Sequence, residues 1–217
     1  MLGLDPPTLI ARIFVLMTAF AVHEFAHAWT ANRFGDPTPR QYGRLTLNPL
    51  AHLDVMGSLM LIFAGFGWAK PVPINPAILD RRSPMAVMWV SLAGPMSNFV
   101  MAAIAAIPFK FGLFSVYEAY AAPSTGILPT LPYLLLEFIY INLLLFLFNL
   151  IPLYPLDGEK IAIYVLPPAW GEFIARLRPY SMIIFLLVFI ALPYAGLDIF
   201  GWIADPAMYE LIQFLVL

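Results

Sequence analysis

Thr8-Leu9-Ile10-Ala11-Arg12-Ile13-Phe14-Val15-Leu16-Met17-Thr18-Ala19-Phe20-Ala21-Val22-His23-Glu24-Phe25-Ala26-His27-Ala28-Trp29 is an almost unbroken apolar run that ends in a charged motif. At about 1.5 Å per residue, a helix of this length crosses the roughly 30 Å apolar layer of a bilayer. Within it, His23-Glu24-Phe25-Ala26-His27 carries two of the chain's three histidines. Positions i and i+4 lie one above the other on a helix face, so both imidazoles can converge on one Zn²⁺. The glutamate between them is then placed to act as a general base. Polar groups at membrane depth are costly to keep and mark a functional site by default. The competing reading is a chance five-residue match or a polar contact between helices.

Phe34-Gly35-Asp36-Pro37 is a stop signal for this helix. No small-residue cleavage site follows the apolar core, so the segment reads as a retained helix and not as a leader. Composition agrees with a membrane protein. The 217 residues are 62% hydrophobic and only 11% charged, with mean hydropathy +0.85, whereas soluble domains carry about 25% charged residues. A net charge of −2 offers no basic surface to nucleic acid. The absence of cysteine excludes disulfides and thiolate metal sites, so a metal would have to be held by histidine and carboxylate.

The expected fold is an α-helical polytopic membrane protein with about four full spans. After the first come about Pro84–Phe109, Thr130–Ile151 and Tyr180–Ala195, and the amphipathic tail 202–217 is read as interfacial or a partial span. Ser91, Gly94, Asn98, Ala102 and Ala105 form a small-residue face on the second span that lets another helix approach closely. Met56–Trp68 is apolar but has only 13 residues, with three glycines, and a span needs about 20. It reads as a re-entrant segment. Minor strand content is expected near 43–48, where polar and apolar residues alternate, and in the proline-stiffened stretch 70–75.

Arg33, Arg40, Arg44, Lys70, Arg81 and Arg82 lie between the first two full spans, and Lys160, Arg176 and Arg178 between the third and fourth. Together they are nine of the eleven basic residues, and the positive-inside rule puts both regions in the cytosol. The N-terminus, the 112–128 loop and the tail then face outward. His27 is six residues before Arg33, roughly 9 Å along a helix, which sets the histidine pair in the cytosolic half of the membrane. Glu118 and Glu137 fall on the outward side and read as solvated.

A catalytic zinc wants three protein ligands and an open position. Asp157 follows the third span at the depth of His27, among helix-breaking Pro152, Pro155 and Gly158. Broken backbone at that depth is tolerated where it lines a cavity. Two readings stand for Asp157: a metal ligand turned inward, or the N-cap of a short helix reaching Leu166.

Three motifs then carry a resemblance. Asn149-Leu150-Ile151-Pro152-Leu153-Tyr154-Pro155-Leu156-Asp157-Gly158 resembles the Asn-x-x-Pro-x-x-x-x-Asp-Gly signature of the site-2 protease family of intramembrane zinc metalloproteases. His23-Glu24-x-x-His27 is similar to that family's first motif, and Gly94-Pro95-Met96-Ser97-Asn98 to its Gly-Pro-x-x-Asn segment. The stretches 43–54 and 67–73 are similar to its compact bacterial and archaeal branch, which lacks PDZ and CBS domains. The resemblance covers roughly residues 8–165, and the whole chain, 1–217, is expected to form one domain with a C-terminal span and tail at 178–217.

The resemblance implies one Zn²⁺ held by His23, His27 and Asp157, with Glu24 activating the water. It also implies Asn149 as a donor to the tetrahedral intermediate, the other reading being an interhelical hydrogen bond. His52 is either a second electrophile or gate near the metal, or a loop histidine bonded to nearby backbone. Asn98 is expected to order helix packing near the site. The expected activity is hydrolysis of peptide bonds in or near the spans of single-span membrane proteins, in a prokaryotic cell membrane. Partners are then those substrates and the lipid bilayer. The alternative is a polytopic carrier or channel for a metal or other cation. Transport would distribute ligands across the bilayer's depth, whereas these cluster at one depth beside a base.

Overall fold

The computed structural model describes residues 4–57 and 67–216. Five helices in it are long and apolar enough to cross a membrane: 6–33, 86–110, 131–149, 168–194 and 199–216. The reading of Met56–Trp68 as re-entrant falls mainly on residues outside those described.

Helix α1 (Pro6–Arg33) starts with prolines in its first turn, where their missing N–H groups would be unpaired anyway. It stops at Phe34, followed by Gly35 at φ +88°, a left-handed conformation that glycine adopts freely. Asp36 is fully buried just beyond, and its carboxylate accepts from the backbone N–H groups of Thr38 and Asn75. This ties the exit of α1 to the entry of α2 (Pro76–Arg82). The small-residue face of helix α3 (Ala86–Lys110) anticipated above is buried throughout: Gly94 and Asn98 meet α1, while Ala102 and Ala105 join the core formed with the later helices. Lipid tails supply no hydrophobic drive between helices, so close backbone approach and interhelical hydrogen bonds hold the pair.

Helix α4 (Leu131–Asn149) runs parallel to α1, with Thr8 and Arg12 beside Tyr133 and Glu137. Chain 150–156 is irregular, and α5 (Asp157–Val165) and α6 (Pro168–Arg176) follow. Residues 181–194 continue as helix with a π turn at Leu187–Ala191, and α7 (Ile199–Val216) closes the described chain. One apolar core joins Ala102, Ala106 and Phe109 of α3, Leu136, Ile139 and Leu143 of α4, and Met208 and Leu215 of α7.

The tail left open as interfacial or partial is thus an 18-residue helix of spanning length and composition. Lys110 Nζ donates to the Phe214 carbonyl at 2.8 Å, while Phe200 meets Phe148 edge to face with ring centroids 6.0 Å apart. Helix α7 therefore runs parallel to α3, and residues 150–198 leave and rejoin the bundle at one end, the end of Phe148.

Strand content differs from the expectation. Residues 43–48 form a turn and a bend instead of a strand. The reason is local: Thr46 Oγ1 accepts from Asn48 N, Asn48 Oδ1 accepts from Leu50 N, and the Arg44 guanidinium donates to the Ala51 carbonyl. Side chains thereby satisfy backbone groups that a ladder would otherwise pair. Stretch 70–75 forms no strand either, since Pro71 and Pro73 have no N–H to give a ladder, and one isolated bridge pairs Leu53 with Ala69 just before it. The two-stranded sheet is Ser124–Thr125 against Leu128–Pro129, in the region read as a loop.

Candidate metal centre

His23 and His27 leave adjacent turns of α1 on the face that meets α3. Asp157 reaches the same point from the first turn of α5. Their ligand atoms converge: His23 Nε2 and His27 Nε2 are 3.0 Å apart, and Asp157 Oδ2 is 3.2 and 3.1 Å from them. All three residues are buried, as is Glu24. They form the one potential metal-holding group of three or more such residues among those described.

Two features of the chain turn Asp157 inward. Pro152 and Pro155 keep residues 150–156 from continuing α4, and the Tyr154–Pro155 peptide is cis. Gly158 then lies against the backbone of Leu150 and Ile151 so closely that any Cβ would collide with their carbonyls. The first turn of α5 is thereby folded back onto the last turn of α4. The N-cap position is Leu156, and Asp157 makes no capping hydrogen bond. Its carboxylate faces the imidazoles instead. Glu159, two residues on, is buried and paired with Arg178, which fixes α5 to the segment that follows α6.

The outer nitrogens of both rings are committed. His27 Nδ1 donates to the Val90 carbonyl at 2.7 Å. His23 Nδ1 lies 2.6 Å from Asn98 Oδ1, Asn98 Nδ2 donates to Asn142 Oδ1 at 2.9 Å, and Asn142 Nδ2 donates to the Phe138 carbonyl at 2.9 Å. A backbone carbonyl can only accept, so the direction of this chain is fixed from its far end. Asn142 must turn its amide nitrogen to Phe138 and its oxygen to Asn98. Asn98 must then turn its oxygen to His23, and His23 Nδ1 must carry the proton. Both asparagines are fully buried.

In the neutral imidazoles that a metal requires, with each Nδ1 protonated, each Nε2 carries a lone pair. Two lone pairs and a carboxylate oxygen then face one another at 3.0–3.2 Å with no donor between them. Acceptors that close repel unless a cation lies among them. Two imidazoles and one carboxylate are also the donor set that suits zinc in a catalytic site. Room for the ion comes from Gly94: a Cβ there would stand 2.6 Å from His23 Nε2 and closer to His27 Nε2, so any side chain would fill the cradle.

The remaining sequence candidates lie as follows. Asn149 Nδ2 donates to the Leu145 carbonyl of its own helix at 3.0 Å, which leaves the second amide hydrogen unassigned. His52 is buried with Nε2 on the Thr46 carbonyl at 2.8 Å and stands outside the His23–His27–Asp157 group. Glu118 is exposed as expected, but Glu137 is not solvated. It is buried, accepting from Arg12 Nε at 2.9 Å and from the Tyr133 hydroxyl at 3.2 Å. Arg12, in the second turn of α1, lies at the depth of Glu137, and a charge removed from water needs its partner there. Sequence reasoning missed Asn142 and Glu159. An asparagine in the middle of an apolar span was a usable signal for the first. Glu159 gave none, because α5 also reads as a water-facing helix.

The sequence model of peptidase family M50 matches residues 11–192. The chain is 42% identical over 180 residues to a Bacillus subtilis protein named "Putative zinc metalloprotease YwhC", covering 82% of this chain and 79% of that one. It is 31% identical over 197 residues to "Putative zinc metalloprotease Rip2" of Mycolicibacterium smegmatis, covering 85% and 70%. The Rip2 of Mycobacterium tuberculosis is 28% identical over 193 residues. No solved structure matches the chain.

Proposed function

This chain belongs to peptidase family M50, the site-2 protease family, and on that premise we propose that it is a zinc metalloendopeptidase that cuts single-span membrane proteins in or near their spans. The observation that carries this reading is the meeting of the two Nε2 atoms of one helix with a carboxylate oxygen at 3.0–3.2 Å, the aspartate coming from 130 positions beyond His27. His23, His27 and Asp157 would hold one zinc ion. When bound, zinc lowers the pKa of its water toward ~7 and polarises the scissile carbonyl.

The chain's own groups do the rest. The Asn98 and Val90 acceptors hold the two imidazoles with Nε2 facing inward, and a histidine ligand oriented this way is also the more basic one. Asp157 offsets one unit of positive charge and leaves the centre net cationic. Glu24 takes the proton of the attacking water and passes it to the leaving amine. Asn149 donates its second amide hydrogen to the developing oxyanion. His52, held on Thr46, is assigned to ordering the 44–54 segment. The proline-stiffened stretch 71–75 is the edge on which an unwound substrate strand pairs. Residues 43–48, being a turn, have no such part. The N-terminus faces outward and the metal centre lies in the cytosolic half, following the basic residues.

The test is Glu24→Gln in the full-length protein, expressed with tagged single-span substrates. The variant should retain one zinc per chain and release no fragment. Wild type purified without zinc, or Glu24→Gln cutting at the wild-type rate, would overturn the reading.

A further inference from the structure

Two grooves away from the metal centre share one wall. The first, of about 390 Å³, runs between α1 and α3 and is lined almost wholly by apolar side chains, among them Phe34, Trp89, Leu92 and Met96. The second, of about 310 Å³, opens at the end of α1 between Phe34 and α2, and three arginines line it: Arg33, Arg81 and Arg82. Phe34 borders both. Residues 89 to 96 follow α3 inward for roughly 10 Å at 1.5 Å per residue, so the apolar groove descends from the arginines into the depth of the span.

The arginines are exposed and make no ion pair among the described residues. The nearby carboxylates have other partners. Asp36 is turned inward onto the backbone of Thr38 and Asn75, and Asp80 accepts from the Tyr164 hydroxyl. Each arginine flanks a spanning helix, Arg33 at the end of α1 and the other two just before α3. Basic pockets between spanning helices at this depth bind anionic headgroups, and Trp89 sits where aromatic residues border the interface.

We propose that this composite groove is a binding site for one anionic phospholipid. The phosphate and any second headgroup charge lie among Arg33, Arg81 and Arg82, and an acyl chain lies along Phe34, Trp89, Leu92 and Met96. A free phosphate would use only the upper part, whereas the apolar groove below it fits a chain joined to the headgroup. The bound lipid bridges the end of α1, α2 and the start of α3, the three elements whose second apolar core contains Ala31, Leu79, Ala86 and Val90. Val90 also supplies the carbonyl that holds His27.

The test uses the full chain in nanodiscs containing brominated phosphatidylglycerol or brominated phosphatidylcholine at equal mole fraction. Quenching at Trp89 is read as the difference between wild type and Trp89→Phe, and at Trp202 as the difference between wild type and Trp202→Phe. The expected result is stronger quenching of Trp89 by the anionic lipid, with no such preference at Trp202. Each arginine changed to glutamine lowers the preference about fivefold, equivalent to ~1 kcal/mol. The triple lysine variant retains most of it, and shows that the loss follows charge and not folding. Equal quenching of Trp89 by the two lipids, or a preference unchanged in the triple glutamine variant, overturns the proposal. Displacement of the anionic lipid by millimolar inorganic phosphate alone also overturns it, because the site would then be one for a free anion.

Discussion

Replacing Gly94 with alanine tests the metal cradle with a single methyl group. The added Cβ would lie 2.6 Å from His23 Nε2 and 2.5 Å from His27 Cε1, while ordinary contact begins near 3.4 Å. The shortfall, roughly 0.8 Å for the His23 ring and more for the His27 ring, whose Nε2 is nearer still, is the least distance each must retreat, because close-packed interiors absorb little overlap. Zinc–nitrogen bonds of about 2.0–2.1 Å hold within about 0.2 Å in a working site. A retreat several times that tolerance takes at least one imidazole out of coordination. The expected loss of zinc affinity exceeds 100-fold, beyond the ~10–100-fold that follows removal of an outer partner. The fold should survive. Alanine gains ~0.5–1 kcal/mol over glycine inside a helix, against ~1–3 kcal/mol for overpacking. The assay compares zinc per chain and thermal unfolding with and without chelator. Wild type should lose about 2.7 kcal/mol of stability when zinc at 100 times its Kd is stripped away. The variant's unfolding should not respond to chelator. A Gly94→Ala protein that keeps one zinc per chain and a chelator-sensitive transition would refute the placement of the ion between these two nitrogens.

Asn142→Leu removes the acceptor that orients Asn98. Zinc affinity, measured by competition with a chromogenic chelator, should drop ~10–100-fold. The effect should vanish in an Asn98→Ala background, since the relay acts only through Asn98; additive losses would argue for two separate packing roles. Arg12→Met strands the buried Glu137 and should destabilise the protein by about 1–3 kcal/mol, less than for a fully buried pair because Arg12 is 36% exposed. Unfolding in detergent should show much of that loss recovered in Arg12→Met/Glu137→Met. Asn149→Ala should retain zinc while fragment release falls ~10²–10³-fold, and normal cleavage by that variant would remove Asn149 from the chemistry.

The membrane class, the histidine pair and the positions of the first three spans were legible because each rests on local pattern, whereas the tail helix 199–216 was not read as a full span. Hydropathy over some 20 residues identifies a span, and the expected bounds of the second and third spans fall within two residues of α3 and α4. The i, i+4 spacing of His23 and His27 follows from helix geometry alone. Asp157 could be ranked as a ligand only with help from the family pattern, because aspartate before a short helix is equally a cap. The strand expected at 43–48 failed because alternation of polarity cannot report that Thr46, Asn48 and Arg44 satisfy the backbone from the side.

The sequence by itself determined that a metal-ligating pair sits inside a membrane helix, and which residue types could complete it. Only the tertiary structure decided how that pair is held. The Asn142–Asn98–His23 relay links positions 44 and 75 residues apart, and the gap at Gly94 exists because two helix backbones approach face to face. The direction of α7 rests on a contact between Lys110 and Phe214, 104 residues apart. Such partners are set by how helices pack. Nothing in the periodicity of one helix records which neighbour it will meet.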